Sequence, residues 1–73
     1  MSFEFLDTVV LTRDVPAHGL RAGDLGAIVE VYGDGDLEVE FVRGSGHTKA
    51  LLTLTPSDVR AVAPTDVPAV RSA

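Results

Sequence analysis

Leu20-Arg-Ala-Gly-Asp-Leu-Gly-Ala-Ile-Val-Glu-Val-Tyr32, standing behind Asp7-Thr-Val-Val-Leu-Thr-Arg13, is the stretch that decides how this chain folds. It reads as strand, long loop, Gly-Asp-x-Gly turn and strand, the opening of a very small, strongly bent β-barrel. In the first segment Val9 and Leu11 fall on one face, with Thr8, Val10 and Thr12 on the other. Asp14-Val-Pro-Ala-His-Gly19 then ends the strand. Pro16 cannot donate to a ladder, and Gly19 accepts a positive φ without steric cost. Leu20 is expected to point inward and pin the loop, and Arg21-Ala-Gly-Asp24 to form a turn. Residues 25–32 then make the strongest strand. Strict alternation puts Ala27, Val29 and Val31 on its inner face and Ile28, Glu30 and Tyr32 on its outer face.

Downstream, Gly33-Asp-Gly-Asp36 is a hairpin signal. Leu37, Val39 and Phe41 alternate with Glu38, Glu40 and Val42. Gly44-Ser-Gly46 marks a second hairpin, followed by a strand over residues 47–54 with Ala50, Leu52 and Leu54 inward and Lys49, Leu51 and Thr53 outward. Thr55-Pro-Ser-Asp58 is too short for an α-helix but begins like one, which predicts a single 3₁₀ turn. Residues 59–62 supply a last strand. From Pro64 nothing is periodic, and two prolines argue for a loose tail. The pattern predicts an all-β chain: a single small five-stranded SH3-like barrel over residues 1–63, with a 3₁₀ turn before the last strand and a flexible C-terminal tail over 64–73. Strands 2, 3 and 4 would form a meander and strand 5 would return to strand 1. An OB-like barrel, the other five-stranded solution, usually carries a helix between strands 3 and 4, and no segment here could supply it.

Composition narrows the function. Seventy-three residues make one domain with little room for a deep substrate cavity. The absence of cysteine removes disulfides, zinc thiolate sites and thiol nucleophiles together. Eleven acidic against six basic residues give a net charge of −5, which disfavours phosphate backbones and favours a basic protein partner. The N-terminal Met-Ser-Phe-Glu-Phe has no basic region leading an apolar one, so a cytoplasmic location is expected.

The outer sheet face is the surface to suspect. If Val31 opposes Val39 across the first hairpin, Tyr32 meets Glu38, Glu30 meets Glu40 and Ile28 meets Val42. Two carboxylates across one ladder repel each other. Ile28, Glu30, Tyr32, Glu38, Glu40, Val42 and Leu51 would then form an apolar strip edged with carboxylates, suited to a basic, partly apolar protein surface and assisted by His18 in the first loop. A solvated sheet face with scattered apolar side chains would read the same way. An exposed edge strand offers homodimerisation as a further route to a partner.

Catalysis is not expected. His18 and His47 stand in different loops, without enough further ligands for a metal. No Gly-x-Ser-x-Gly element is present. Gly23-Asp-Leu-Gly26 precedes a strand and lacks the third glycine of a dinucleotide fingerprint, so it reads as a turn. Asp34 and Asp36 lack the remaining ligands of a calcium loop and read as turn residues. No cofactor is implied. The few aromatics offer neither a stacking platform for single strands nor a groove for proline-rich peptides.

Residues 10–32, then Leu37-Glu-Val-Glu-Phe41 and Ala50-Leu-Leu-Thr-Leu54, resemble a family of small bacterial proteins classed as a domain of unknown function. Its pattern is Leu-Thr-x-Asp-x-Pro-x-x-Gly-Leu-x-x-Gly-Asp-x-Gly-x-Val-Val-x-x-Tyr followed by Glu-Val-Glu-Phe, and Ile28 stands here for one valine. The likeness covers about residues 7 to 62. It implies an SH3-like fold and a gene placed beside that of another small protein. The implied role is an accessory, antitoxin-like or immunity-like subunit of a two-gene module, and no catalytic residue comes with it. Gly23-Asp-Leu-Gly-Ala-Ile-Val29 is also weakly similar to the KOW element of transcription and ribosomal proteins. That likeness implies the alternative, a module binding RNA or a ribonucleoprotein through Arg13, Arg21 and Arg43.

Overall fold

In a computed structural model, residues 3–43 and 48–63 are described. Five antiparallel strands, β1 (Thr8–Leu11), β2 (Leu25–Val31), β3 (Leu37–Arg43), β4 (Thr48–Leu54) and β5 (Val59–Ala61), form one sheet in the order β4-β3-β2-β1-β5. Two 3₁₀ turns, Pro16–His18 and Pro56–Asp58, are the helical elements among the described residues. The chain is therefore all-β, with the expected meander, the expected return of β5 to β1 and the expected 3₁₀ turn before the last strand. No helix among the described residues is long and apolar enough to cross a membrane. The anticipated Gly44-Ser-Gly46 hairpin, His47 and the tail over 64–73 lie outside the described residues.

One core gathers side chains from every strand: Val9 and Leu11 from β1, Ile28 from β2, Leu37, Val39 and Phe41 from β3, Ala50, Leu52 and Leu54 from β4, and Val59 from β5. Leu20 joins them from the first loop and is 2% exposed. It is held by the Val15–Leu20 bridge, and Gly19 behind it adopts φ 69°. The Arg21–Asp24 turn closes as read, with Gly23 at φ 98°. Val10, expected on the outward face of β1, is buried as well, although it does not belong to the main cluster.

In β2 the alternation reverses. Ile28, assigned to the outer face by strict period two, is fully buried in the core. Ala27 and Val29, assigned inward, are half-buried, and Val31 is 40% exposed. The cause is a β-bulge. Ile28 pairs with Val39, but the next pair is Glu30 with Glu38, so Val29 is an extra residue on β2. One inserted residue flips the facing of everything on one side of it. Gly26 is also inside β2 rather than in a turn, paired with Val9 and facing the core.

The second 3₁₀ turn acts as a joint between β4 and β5. The Asp58 Oδ2 accepts hydrogen bonds from the Thr55 backbone N–H (3.0 Å) and hydroxyl (3.1 Å), and its Oδ1 accepts one from Arg13 Nε at 2.8 Å. Thr12 adds its backbone N–H to the Asp58 carbonyl and its hydroxyl to the Ser57 carbonyl. The Arg13 guanidinium, then the Thr55 N–H, hold the Asp58 carboxyl below the usual carboxylate range. A carboxyl that is more acidic in the folded state stabilises the fold above its unfolded value, and this contribution is lost as pH falls through the folded value. Asp58→Asn should lower stability at neutral pH by about 1 kcal/mol, the size of a lost capping interaction. It should also flatten the acid limb of the stability curve in urea melts taken from pH 7 down through the carboxylate range. An unchanged acid limb would remove Asp58 as its source.

Candidate functional site

The outer face of β2, β3 and β4 is laid out by register. One row runs Ala27, Glu40, Leu51, the next runs Glu30, Glu38, Thr53, and Val42 lies beside Lys49. The two facing carboxylates are therefore Glu30 and Glu38, not Glu30 and Glu40, because Val31 pairs with Leu37 rather than with Val39 as expected. The Gly33-Asp-Gly35 loop fixes this register. Tyr32 N–H donates to the Asp36 carbonyl (2.8 Å), Gly35 N–H returns to the Tyr32 carbonyl (2.9 Å), and Gly35 takes φ 94°. This matches a three-residue hairpin closed by a left-handed glycine. Asp34 and Asp36 act here as turn residues, the Asp34 carboxylate accepting from the Asp36 N–H at 3.0 Å.

Glu38 is the organising group of the face. Its Oε1 accepts the Tyr32 hydroxyl at 3.1 Å and the Thr53 hydroxyl at 2.6 Å. The hydrogen bond to Glu38, then desolvation and the charges of Glu38 and Glu30, raise the Tyr32 phenol above its ordinary value. Tyr32 thus stays neutral and fixed as a donor, although its ladder position is opposite Asp36 rather than Glu38. Around this cluster the apolar side chains stay open to solvent: Tyr32 is 41% exposed, Val42 56% and Leu51 57%. A shallow depression lined by Thr8, Leu25, Gly26, Ala27, Glu40 and Val42 continues the face toward β1.

Six of the eight residues expected at the site, Glu30, Tyr32, Glu38, Glu40, Val42 and Leu51, share this region of the sheet. Ile28 does not, being a core residue. His18 does not either. Its 3₁₀ turn follows β1 and leads into the start of β2, whereas Tyr32 and Glu38 lie where β2 ends and β3 begins. The seven residues of β2 separate the two by roughly 20 Å of strand. Arg13, a candidate phosphate contact, is bound to Asp58. No cluster of three or more His, Asp or Glu placed to hold a metal ion occurs among the described residues.

The family described as Domain of unknown function (DUF4926) matches residues 5–61. The chain belongs to this family. The match runs from the N-terminal turn through β5, so all five strands of this chain lie within the DUF4926 match. No curated protein and no solved structure matches the chain.

Proposed function

We propose that the chain is a non-catalytic, acidic protein-binding module that docks a basic cognate protein through the outer face of β2, β3 and β4. The observation that carries this reading is the placement of Glu30 directly opposite Glu38, with Glu40 on the same face, beside exposed Val42, Leu51 and Tyr32. Like charges facing across a ladder weaken a sheet, so the domain keeps an arrangement that is unfavourable when the face is bare. A Lys- or Arg-rich surface relieves the repulsion on contact, while the apolar side chains supply the area to be buried. An antitoxin-like, immunity-like or accessory subunit of a bacterial, cytoplasmic two-gene module would work in this way, covering a cationic surface of its partner with carboxylates.

The reading separates binding from stability. Glu30→Gln removes one of the facing charges and is expected to stabilise the fold slightly, by about 0.2–1 kcal/mol, while weakening partner capture. Glu30→Lys with Glu40→Lys is expected to abolish capture in a tagged pull-down from nuclease-treated lysate, with the thermal melt still cooperative. Undiminished capture by the double variant would sink the outer-face assignment. Capture that disappears with nuclease treatment would favour the RNA-binding alternative, against which the Arg13–Asp58 ion pair already counts.

A further inference from the structure

A different surface stands out at the N-terminus. Residues 4–7 form a tight turn closed by the Asp7 N–H on the Glu4 carbonyl (3.0 Å) and by the Glu4 N–H on Asp7 Oδ2 (2.9 Å). Leu6 lies in this turn at φ 74°, and among the described residues no other non-glycine has a positive φ. Turns usually give such a position to Gly or Asn, because a side chain is strained there. The turn is fastened rather than loose: Leu6 N–H donates to the Ile28 carbonyl (2.7 Å) and Ile28 N–H to the Asp7 carbonyl (2.9 Å), beside the Val29 bulge. The strain hides no apolar surface. Leu6 is 65% exposed and its neighbour Phe5 61%, and Phe5 shares a shallow depression with Phe3, Glu4, Glu30 and Val31. A local rule is broken to hold two large apolar side chains in water, the kind of conflict that marks a functional position.

We infer that this N-terminal turn is a docking ledge for a partner segment that carries an aliphatic or aromatic anchor flanked by Lys or Arg. Phe5, Leu6 and Val31 receive the anchor, and Glu4 and Glu30 at the depression meet the cations. The charge decides the occupant. A second copy of this chain would bring Glu4 and Glu30 against acidic groups of an equally acidic molecule, with net charge −5 on each. A basic segment meets no such penalty. The ledge shares Glu30 with the outer face, but Phe5 and Leu6 belong to neither β3 nor β4, so substitutions at Leu6 test it apart from the outer-face reading.

The test uses the full chain, uniformly ¹⁵N-labelled, and a fluorescein-labelled octapeptide of alternating Leu and Lys, with a Ser–Lys octapeptide as control. Saturable amide shifts at Phe5, Leu6 and Val31 are expected with the Leu–Lys peptide and not with the control. Leu6→Asn suits the left-handed backbone and removes the anchor site. It should keep or raise the melting temperature while weakening the peptide at least about tenfold in fluorescence anisotropy. Shifts confined to Glu38 and Leu51 would overturn the ledge and leave the outer face standing. Equal affinity of Leu6→Asn and the parent chain, or no saturable binding, would overturn it too. Self-association abolished by Leu6→Asn in sedimentation would replace the basic segment by a second copy.

Discussion

Gly26→Ala should destabilise the domain by about 1–3 kcal/mol, the range of overpacked core positions, and Gly26→Val should leave it unfolded. A Cβ built at Gly26 lies 2.7 Å from Phe41 Cε2, 2.8 Å from Phe41 Cδ2 and 2.7 Å from Val39 Cγ1. Both neighbours are fully buried, so neither can swing into solvent to make room. The glycine is required by the close approach of the Phe41 ring to the β2 backbone rather than by a turn. Gly33→Ala is the matched control, since a Cβ there meets nothing within 4 Å and its φ is not in the left-handed region. For a domain of this size each kcal/mol moves the melting temperature by roughly 4–8 °C, so the two alanine variants should separate clearly in a calorimetric scan. A parent-like melt for Gly26→Ala would mean that the ring can withdraw and that the contact does not constrain the fold.

The second large effect concerns the bulge. Ile28→Ala should cost about 2–5 kcal/mol, as truncations of fully buried aliphatic side chains do. Val29→Ala, one residue along the same strand, should cost markedly less, because Val29 is the half-buried extra residue of β2. The comparison is sharp because uninterrupted alternation demands the opposite order. Denaturant melts of the two variants decide it, and a costlier Val29→Ala would restore the unbulged register and return Ile28 to the outer face.

These two positions show where the sequence is legible and where it is not. β3 and β4 read correctly because most of their apolar residues keep one parity, Leu37, Val39 and Phe41, then Ala50, Leu52 and Leu54, with no bulge between the two strands. The exceptions, Val42 and Leu51, face solvent. In β2 Leu25, Ala27, Val29 and Val31 share one parity against Ile28 alone, so period two chooses the wrong phase for the residues before the bulge. What selects the phase is distant in the chain, the Leu6 and Asp7 hydrogen bonds that capture Ile28. Beyond the bulge the parity returns to that of simple alternation, which is why Glu30 was legible as an outer-face residue while Ile28 was not. The Tyr32–Glu38 contact was anticipated, yet it forms through the phenol reaching along the strand rather than through direct cross-strand pairing. The Leu6 ledge left no trace in the pattern, because a left-handed leucine has no signature in composition or spacing.

The position of β1 has a consequence for how the chain comes into being. β1 lies between β2 and β5, and its ladder with β5 joins Val9 to Ala61 and Leu11 to Val59. On a ribosome the β2-β3-β4 meander can assemble as it emerges, from contacts close in sequence. The first strand must wait with one edge unpaired until residues 59–61 have been made. Closing so long a loop late is entropically slow, and the Arg13–Asp58 clamp becomes available only at that moment. Completion of this domain is thus tied to the emergence of β5, and a nascent chain stopped before Val59 carries an open flank along β1.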